Sequence, residues 1–400
     1  MNKIIIKEPY IQENKLCSEI ETETEYNMWF EVEEENVKYL CCEKADAFLV
    51  AILPYAIKHE LDIEVEAKIS AKLYYQLNTC LLPLLCEYFK KRTIKINADT
   101  DNSILNNENA VGTGISMGID SLYSILKNSN LKTKEFNVTH LTFFNAGASG
   151  RFGGEKARNL YNIRKEQARR FSAENGLKFV CVDSNMNEFL MMSHVATHTF
   201  RSVACVLALQ KLFSKYYYAS LGKKFNATEI NEDPGYYDIL LLQCLSNENL
   251  QFYSDGVGIS RLEKVKELAK HSITYKWLNV CIGGEKNCGH CPKCIRTLLE
   301  LESIGVLDKY KNVFNLKDFA KNRTKFLGYM IEQKPSNIFF KEIYDEYKKN
   351  NIKIPIVSYF IAFFSNMKKK IKQILKAIVP KKLINKIRKR NESEIVDEWW

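Results

Sequence analysis

Four cysteines lie close together in "CIGGEKNCGHCPKCIRTLLELESIG": Cys281, Cys288, Cys291 and Cys294, spaced C-x6-C-x2-C-x2-C. Four such thiolates suit one tetrahedral Zn2+ with no position left open, the pattern of a structural site. Gly289 and Pro292 fit tight turns between ligands, and the chain from Arg296 onward reads as a helix. An iron–sulfur cluster is the rival occupant, but the fourth cysteine followed by proline that such runs carry is missing, so zinc is expected. His290 sits inside the knuckle, where four thiols already fill the shell.

A second stretch, "AVGTGISMGIDSLYS" (110–124), begins apolar, passes Gly112, Gly114 and Gly118, and ends in Asp120-Ser121 at the head of an apolar run. Glycines let backbone approach a ligand, and N–H groups at a helix start point at negative charge. The hydroxyls of Ser116 and Ser121 add donors for phosphate oxygens, and Asp120 can hold Mg2+ or orient the ligand. No Gly-Lys-Ser/Thr follows, so this is not a Walker A loop.

Weaker candidates surround these two. Arg201, in "THTFRSVACVLAL", and Lys264, in "SRLEKVK", are cations that could reach a phosphate. The glycine-rich "NAGASGRFGG" (145–154) and Asp183-Ser184-Asn185 each follow a strand, where they could shape a pocket or serve only as loops. His194 and His198 are four apart and would share a helix face, but no acidic residue is spaced to complete a metal site, so a structural role is expected.

The elements that must carry these groups follow from periodicity. The runs "AVGTGI", "HLTFFNAG", "KFVCVD" and "KYYYAS" read as strands alternating with helices near 120–128, 154–175 and 198–213. That alternation predicts an α/β fold with a parallel sheet, whose ligands sit beyond the carboxyl ends of the strands. Upstream, 43–58 and 69–90 have helical spacing, while 61–67 and 92–98 read as strands. The Asn/Asp/Ser-rich 99–110 is the expected boundary. The division expected is a small mixed α/β domain at 1–108, a ligand-binding domain with the knuckle at 109–310, a helical extension at 311–354 and a basic tail at 355–400.

The chain has 400 residues and a net charge of +10, but 355–400 alone holds eleven Lys/Arg against four Asp/Glu, leaving +3 on the rest. A nearly neutral body argues against a nucleic-acid partner. Twelve cysteines and an N-terminal apolar run too short for a secretory signal predict a reducing, cytoplasmic setting. In the tail, Ile371, Ile374, Leu375, Ile378 and Val379 recur at helical spacing among lysines, and Leu383, Ile384 and Ile387 resume the pattern after Pro380. A basic amphipathic helix pair of this kind predicts peripheral contact with an anionic membrane, at its inner face, or else docking on the protein's own body.

The hexapeptide Ser116-Met117-Gly118-Ile119-Asp120-Ser121 resembles the S-G-G-x-D-S loop of the PP-loop ATP pyrophosphatase superfamily. Met117 stands where that family usually has the first glycine of its pair. The loop and the later C-x6-C-G-x-C-x-x-C-x-R together resemble the 7-cyano-7-deazaguanine synthase branch, over roughly residues 109–305. The resemblance implies an adenine nucleotide alpha hydrolase-like fold and a structural zinc. It also implies ATP and Mg2+ bound by Ser116, Gly118, Asp120 and Ser121, with Asp120 and Ser121 in the catalytic centre; Gly114, Arg201 and Lys264 are added from the residues themselves as candidate nucleotide-binding groups. The implied reaction is adenylation of an oxygen on a small-molecule substrate, followed by nitrogen transfer of the amide or nitrile type. Sulfur transfer is one alternative and would need a free thiol, for which Cys181 and Cys205 are the candidates. A catalytically inactive nucleotide-binding or assembly module, raised by Met117, is the other.

Overall fold

The computed structural model describes residues 3–150, 152–221 and 233–378. The chain divides into two compact units, Met1–Ser260 and Arg261–Asp397.

The first unit is built on an eleven-stranded sheet. Its strands are β1 (Lys3–Ile6), β2 (Tyr10–Gln12), β3 (Lys15–Glu21), β4 (Glu25–Glu31), β5 (Asp62–Ser70), β6 (Ile96–Asp101), β7 (Ala110–Gly114), β8 (His140–Phe144), β9 (Lys178–Ser184), β10 (Phe213–Ala219) and β11 (Gln251–Asp255). They run in the order β11-β10-β7-β8-β9-β4-β3-β1-β5-β6, with β2 paired to β3. The five strands β7 to β11 are all parallel to their neighbours within this group. Relative to β7, the chain moves outward through β8 and β9, then crosses back to lay down β10 and β11 on the other side. This is a doubly wound arrangement, and its strand order reverses between β7 and β10. The α/β expectation for this region therefore holds, with β11 as a strand that 251–255 gives little sign of.

Burial on both faces explains the sequence of β7. Ala110, Val111, Gly112 and Thr113 are all buried, as central parallel strands require. A Cβ at Gly112 would lie 2.7 Å from the side chains of both Phe213 and Tyr216, so the central strand keeps a glycine to admit these rings. The outer strands β3 and β4 largely alternate instead: Leu16, Ser18 and Ile20, and then Met28 and Phe30, are buried while Glu19, Glu21, Trp29 and Glu31 are less so, with Cys17 the buried exception.

The sheet runs without interruption across the boundary expected at 108/109. Strand β4 pairs antiparallel with β9 through Phe30–Ser184 and Glu31–Asp183. Asn185 prolongs this ladder with its side chain, accepting from Trp29 N at 2.8 Å and donating to Asn27 O at 2.8 Å. Behind the sheet, helix Asp46–His59 packs on helix His194–Leu207. Asp46 is fully buried and accepts bonds from Ser70, Gln210 and Asn247, three residues drawn from both sides of that boundary. Sequence periodicity cannot see such long-range pairings, which is why 1–108 reads as separate.

The second unit is helical, with helices Arg261–Leu268, Ile273–Trp277, Pro292–Ser303, Leu316–Gln333, Ile338–Lys349 and Ile356–Ile378. It contains the cysteine knuckle, expected to close the 109–310 domain, together with the helices expected as a separate extension. Polar contacts bind them: Glu302 accepts from Arg323 Nε at 2.6 Å and from the Tyr347 hydroxyl, and Arg261 meets the buried Glu300 at 3.0 Å. Among the described residues no helix is long and apolar enough to cross a membrane. The expected second tail helix, with Leu383, Ile384 and Ile387, lies outside the described residues, as does Val379.

His140, buried at the start of β8, has its imidazole pushed down to about 4 by burial, with Lys178 adding to the effect. The unfolded chain binds that proton near pH 6.5 and the native chain does not, so stability is intact above about pH 6.5 and falls toward pH 4. The slope from this one group reaches about 1.4 kcal/mol per pH unit. Urea unfolding across that window should show a shallower loss for His140→Gln than for wild type. Equal slopes would contradict the assignment.

Candidate functional site

The strand order reverses between β7 and β10, where doubly wound sheets put their ligands, and at the carboxyl end of β7 the segment 115–118 leads into helix Ile119–Asn128. Four of the expected ligand groups meet there. Ser116 Oγ and Ser121 Oγ are 3.1 Å apart, Ser116 N donates to Ser121 Oγ at 3.2 Å, and Gly118 N reaches Ser116 Oγ at 3.4 Å. Gly118 is the N-cap and has no side chain to satisfy the first helical N–H groups, while Asp120 occupies the first turn. The first turn of a helix is where a phosphate gains most from backbone donors and dipole.

Met117 decides the shape of this turn. Its φ is 59°, in the left-handed region that glycine enters without cost and other residues enter at about 1–2 kcal/mol. Its side chain is buried, so burial of about 1.5–3 kcal/mol offsets the strain. A methionine can thus hold the backbone conformation for which a glycine would otherwise be chosen.

The other candidates are placed differently. Arg201 is fully buried, donating to Asn187 Oδ1 and to Met192 O at 2.9 Å, and burial lowers its guanidinium to about 10. Gly147, in the loop after β8, closes against it: its φ is +94°, and a Cβ there would lie 2.6 Å from Arg201 Nη1 and 2.8 Å from His194 Nδ1. Asp183 accepts from Asn145 Nδ2 at 2.7 Å and lies 3.4 Å from Arg158 Nε, while Ser184 and Asn185 are occupied in joining β9 to β4. Lys264 is fully buried on helix Arg261–Leu268 of the second unit. Cys181 is buried with its thiol pushed up to about 11 by that burial, and Cys205 is buried with its thiol raised further.

Sequence spacing misses one cluster entirely. His198 Nδ1 lies 2.6 Å from the Tyr218 hydroxyl and Nε2 lies 3.0 Å from Asp233 Oδ1. The acidic partner absent near His198 in sequence is supplied from beyond β10. Asp255, which ends β11 beside Ala219, is likewise invisible to motif reading; it is buried and paired with Lys127 at 2.7 Å. A terminal strand carboxylate carries no spacing signal.

In the second unit the cysteine quartet converges: the sulfurs of Cys281, Cys288, Cys291 and Cys294 all lie within 4.8 Å of one another, with Cys288 and Cys294 at 3.9 Å. Thiolates bonded at ~2.3 Å to one tetrahedral ion stand about 3.8 Å apart. The quartet could therefore hold a single metal ion such as zinc. Backbone N–H groups of His290 and Cys291 point at Cys288 Sγ at 3.4 and 3.3 Å, and Cys294 N points at Cys291 Sγ at 3.5 Å. Such donors stabilise thiolate charge and orient the ligands. Burial, together with the neighbouring Cys291 and Cys288, holds the Cys294 thiol up, a repulsion that a bound cation would relieve. His290 faces away to Asp318 at 2.9 Å. Asn287, which motif reading passes over, fixes the loop by accepting from Val280 N at 2.8 Å and donating to Leu278 O and Val313 O.

Fold and site define a doubly wound α/β protein carrying a four-cysteine centre. Comparison with protein-family models, curated proteins and solved structures finds no match to the chain.

Two substitutions separate strain from burial at the turn. Met117→Gly and Met117→Ala both delete the side chain, but only alanine retains the left-handed cost. The glycine variant should therefore be the more stable of the two by roughly 1 kcal/mol. Chemical denaturation measures the difference, and an alanine variant equal to or better than glycine would contradict the turn.

Proposed function

We propose that the first unit is an ATP-dependent enzyme that adenylates a substrate oxygen at the 114–121 loop as pyrophosphate leaves, so that a nitrogen nucleophile can displace AMP from the carbon bearing that oxygen. The carrying observation is the hydroxyl-lined turn of Ser116, left-handed Met117, Gly118 and Ser121 at the end of a central parallel strand. In this reading backbone N–H groups and the two serine hydroxyls cradle phosphate. Asp120 positions Mg2+, and catalysis comes from alignment and charge stabilisation as pyrophosphate leaves. The loop's similarity to the PP-loop superfamily supports the reading, and the left-handed φ of Met117 meets the objection raised by the missing glycine. Arg201 acts by buttressing the loop after β8 at Gly147. Buried, weakly acidic Cys181 and Cys205 are poor nucleophiles, which favours nitrogen over sulfur delivery. The quartet Cys281, Cys288, Cys291 and Cys294 holds a structural zinc: sulfurs this close suit one ion, whereas a [4Fe–4S] cluster gives each thiolate its own iron.

ATP with Mg2+ at a hundred times its Kd should stabilise the first unit by about 2.7 kcal/mol, roughly 5–10 °C in Tm. Asp120→Ala and Ser116→Ala should abolish that shift. Pyrophosphate release with the cognate substrate marks an enzyme; a shift without turnover across candidate carboxylates and amides would mark an inactive nucleotide-binding module. Cys181→Ala should retain turnover.

Elemental analysis of anaerobically purified protein should find about one zinc per chain, and chelation should lower its stability. Iron with acid-labile sulfide would overturn the zinc assignment.

A further inference from the structure

Helix Ile356–Ile378 is amphipathic in an inverted sense. The face it packs on helix Leu316–Gln333 is small and partly polar: Ser358 and Ala362 are buried, and Ser358 Oγ donates to Thr324 O at 3.0 Å. Gly328 on the opposing helix makes room, since a Cβ there would lie 2.7 Å from Ile361 Cγ2. Lys369 fastens the contact by pairing with Glu332. The large apolar residues face the other way. Ile356 is 72% exposed, Phe363 62% and Phe360 57%, and Val357, Phe364, Met367 and Ile371 are exposed with them.

At 3.6 residues per turn these seven positions fall on one side of the helix. Lys368 and Lys370, both exposed, border the stripe on its two edges, where long basic side chains can reach past an apolar surface to charged groups. The backbone stays helical to Ile378. A contiguous exposed patch of aromatic and aliphatic side chains marks an interaction surface.

We propose that this face docks on an anionic lipid surface, lying in the headgroup region with its phenylalanines inserted. Charge selects this occupant. From Tyr347 to Asn391 the chain has no Asp or Glu and is rich in lysine, so the same helix of a second copy offers no acidic partner for Lys368 and Lys370. Lipid phosphates do, and an apolar stripe edged by lysines is the profile of an interfacial helix. The apolar stripe thus begins at Ile356, fifteen positions before Ile371, and docking on the body and on the membrane use opposite faces of one helix.

The test is co-sedimentation of the full chain with vesicles of phosphatidylcholine, alone or mixed with phosphatidylglycerol. Wild type should bind only the anionic vesicles, and less at high salt. Lys368→Gln/Lys370→Gln should weaken partitioning about 25-fold, since each charge near the surface contributes about fivefold. Phe360→Ser/Phe363→Ser should lose binding while keeping the wild-type Tm and ATP response, because both side chains are exposed. Equal partitioning of wild type and these variants would overturn the proposal. So would a concentration-dependent dimer, formed without lipid and lost in the phenylalanine variant, because a second copy would then cover the stripe.

Discussion

A parallel strand buried on both faces must surrender its last residues to a loop, and everything else in the first unit is arranged around that requirement at β7. The strand is the centre of the doubly wound group, with β8 and β10 hydrogen-bonded on either side. Its interior tolerates only small or compact residues against Phe213 and Tyr216. Where it ends, the strand order reverses, the place where doubly wound sheets put their ligands, and the segment 115–118 turns there into helix Ile119–Asn128. The left-handed Met117 turn and the facing hydroxyls of Ser116 and Ser121 are consequences of turning from strand to helix at that point.

The second constraint is the union of the outer strands with this group. Pairing of β4 with β9 converts a half-exposed mixed sheet and a buried parallel one into a single surface. Away from that pairing the same two halves share buried polar groups, and these are satisfied: Asp46 is held by Ser70, Gln210 and Asn247. A buried carboxylate left without such partners would be costly. Asp183, Ser184 and Asn185, open in sequence to a role in a pocket, are largely committed to the seam and its neighbouring loop.

Local pattern made parts of this legible. Strands β7 to β10 are short apolar runs alternating with helical segments, and the cysteine quartet is a spacing signal that survives without knowledge of the fold. The mixed outer strands are less legible because their partners are remote: β1 lies between β3 and β5, and β4 meets β9 some 150 residues away. Charges mislead for a related reason. Arg201 and Lys264 read as cations that could reach a phosphate, yet both are fully buried, and only tertiary context decides that. The His198–Asp233–Tyr218 contact is the converse, an arrangement without any local motif. In the last described helix periodicity finds an apolar stripe, but not that its small face is the one turned inward.

The account rests on a single claim, that the turn after β7 receives a phosphate chain. A crystal structure of the full chain with Mg2+ and a non-hydrolysable ATP analogue tests it most directly. The account predicts phosphate oxygens within hydrogen-bond distance of Ser116, Gly118 and Ser121, the metal beside Asp120, and Met117 still left-handed. A nucleotide bound elsewhere, with the 114–121 turn unchanged and unliganded, would contradict it.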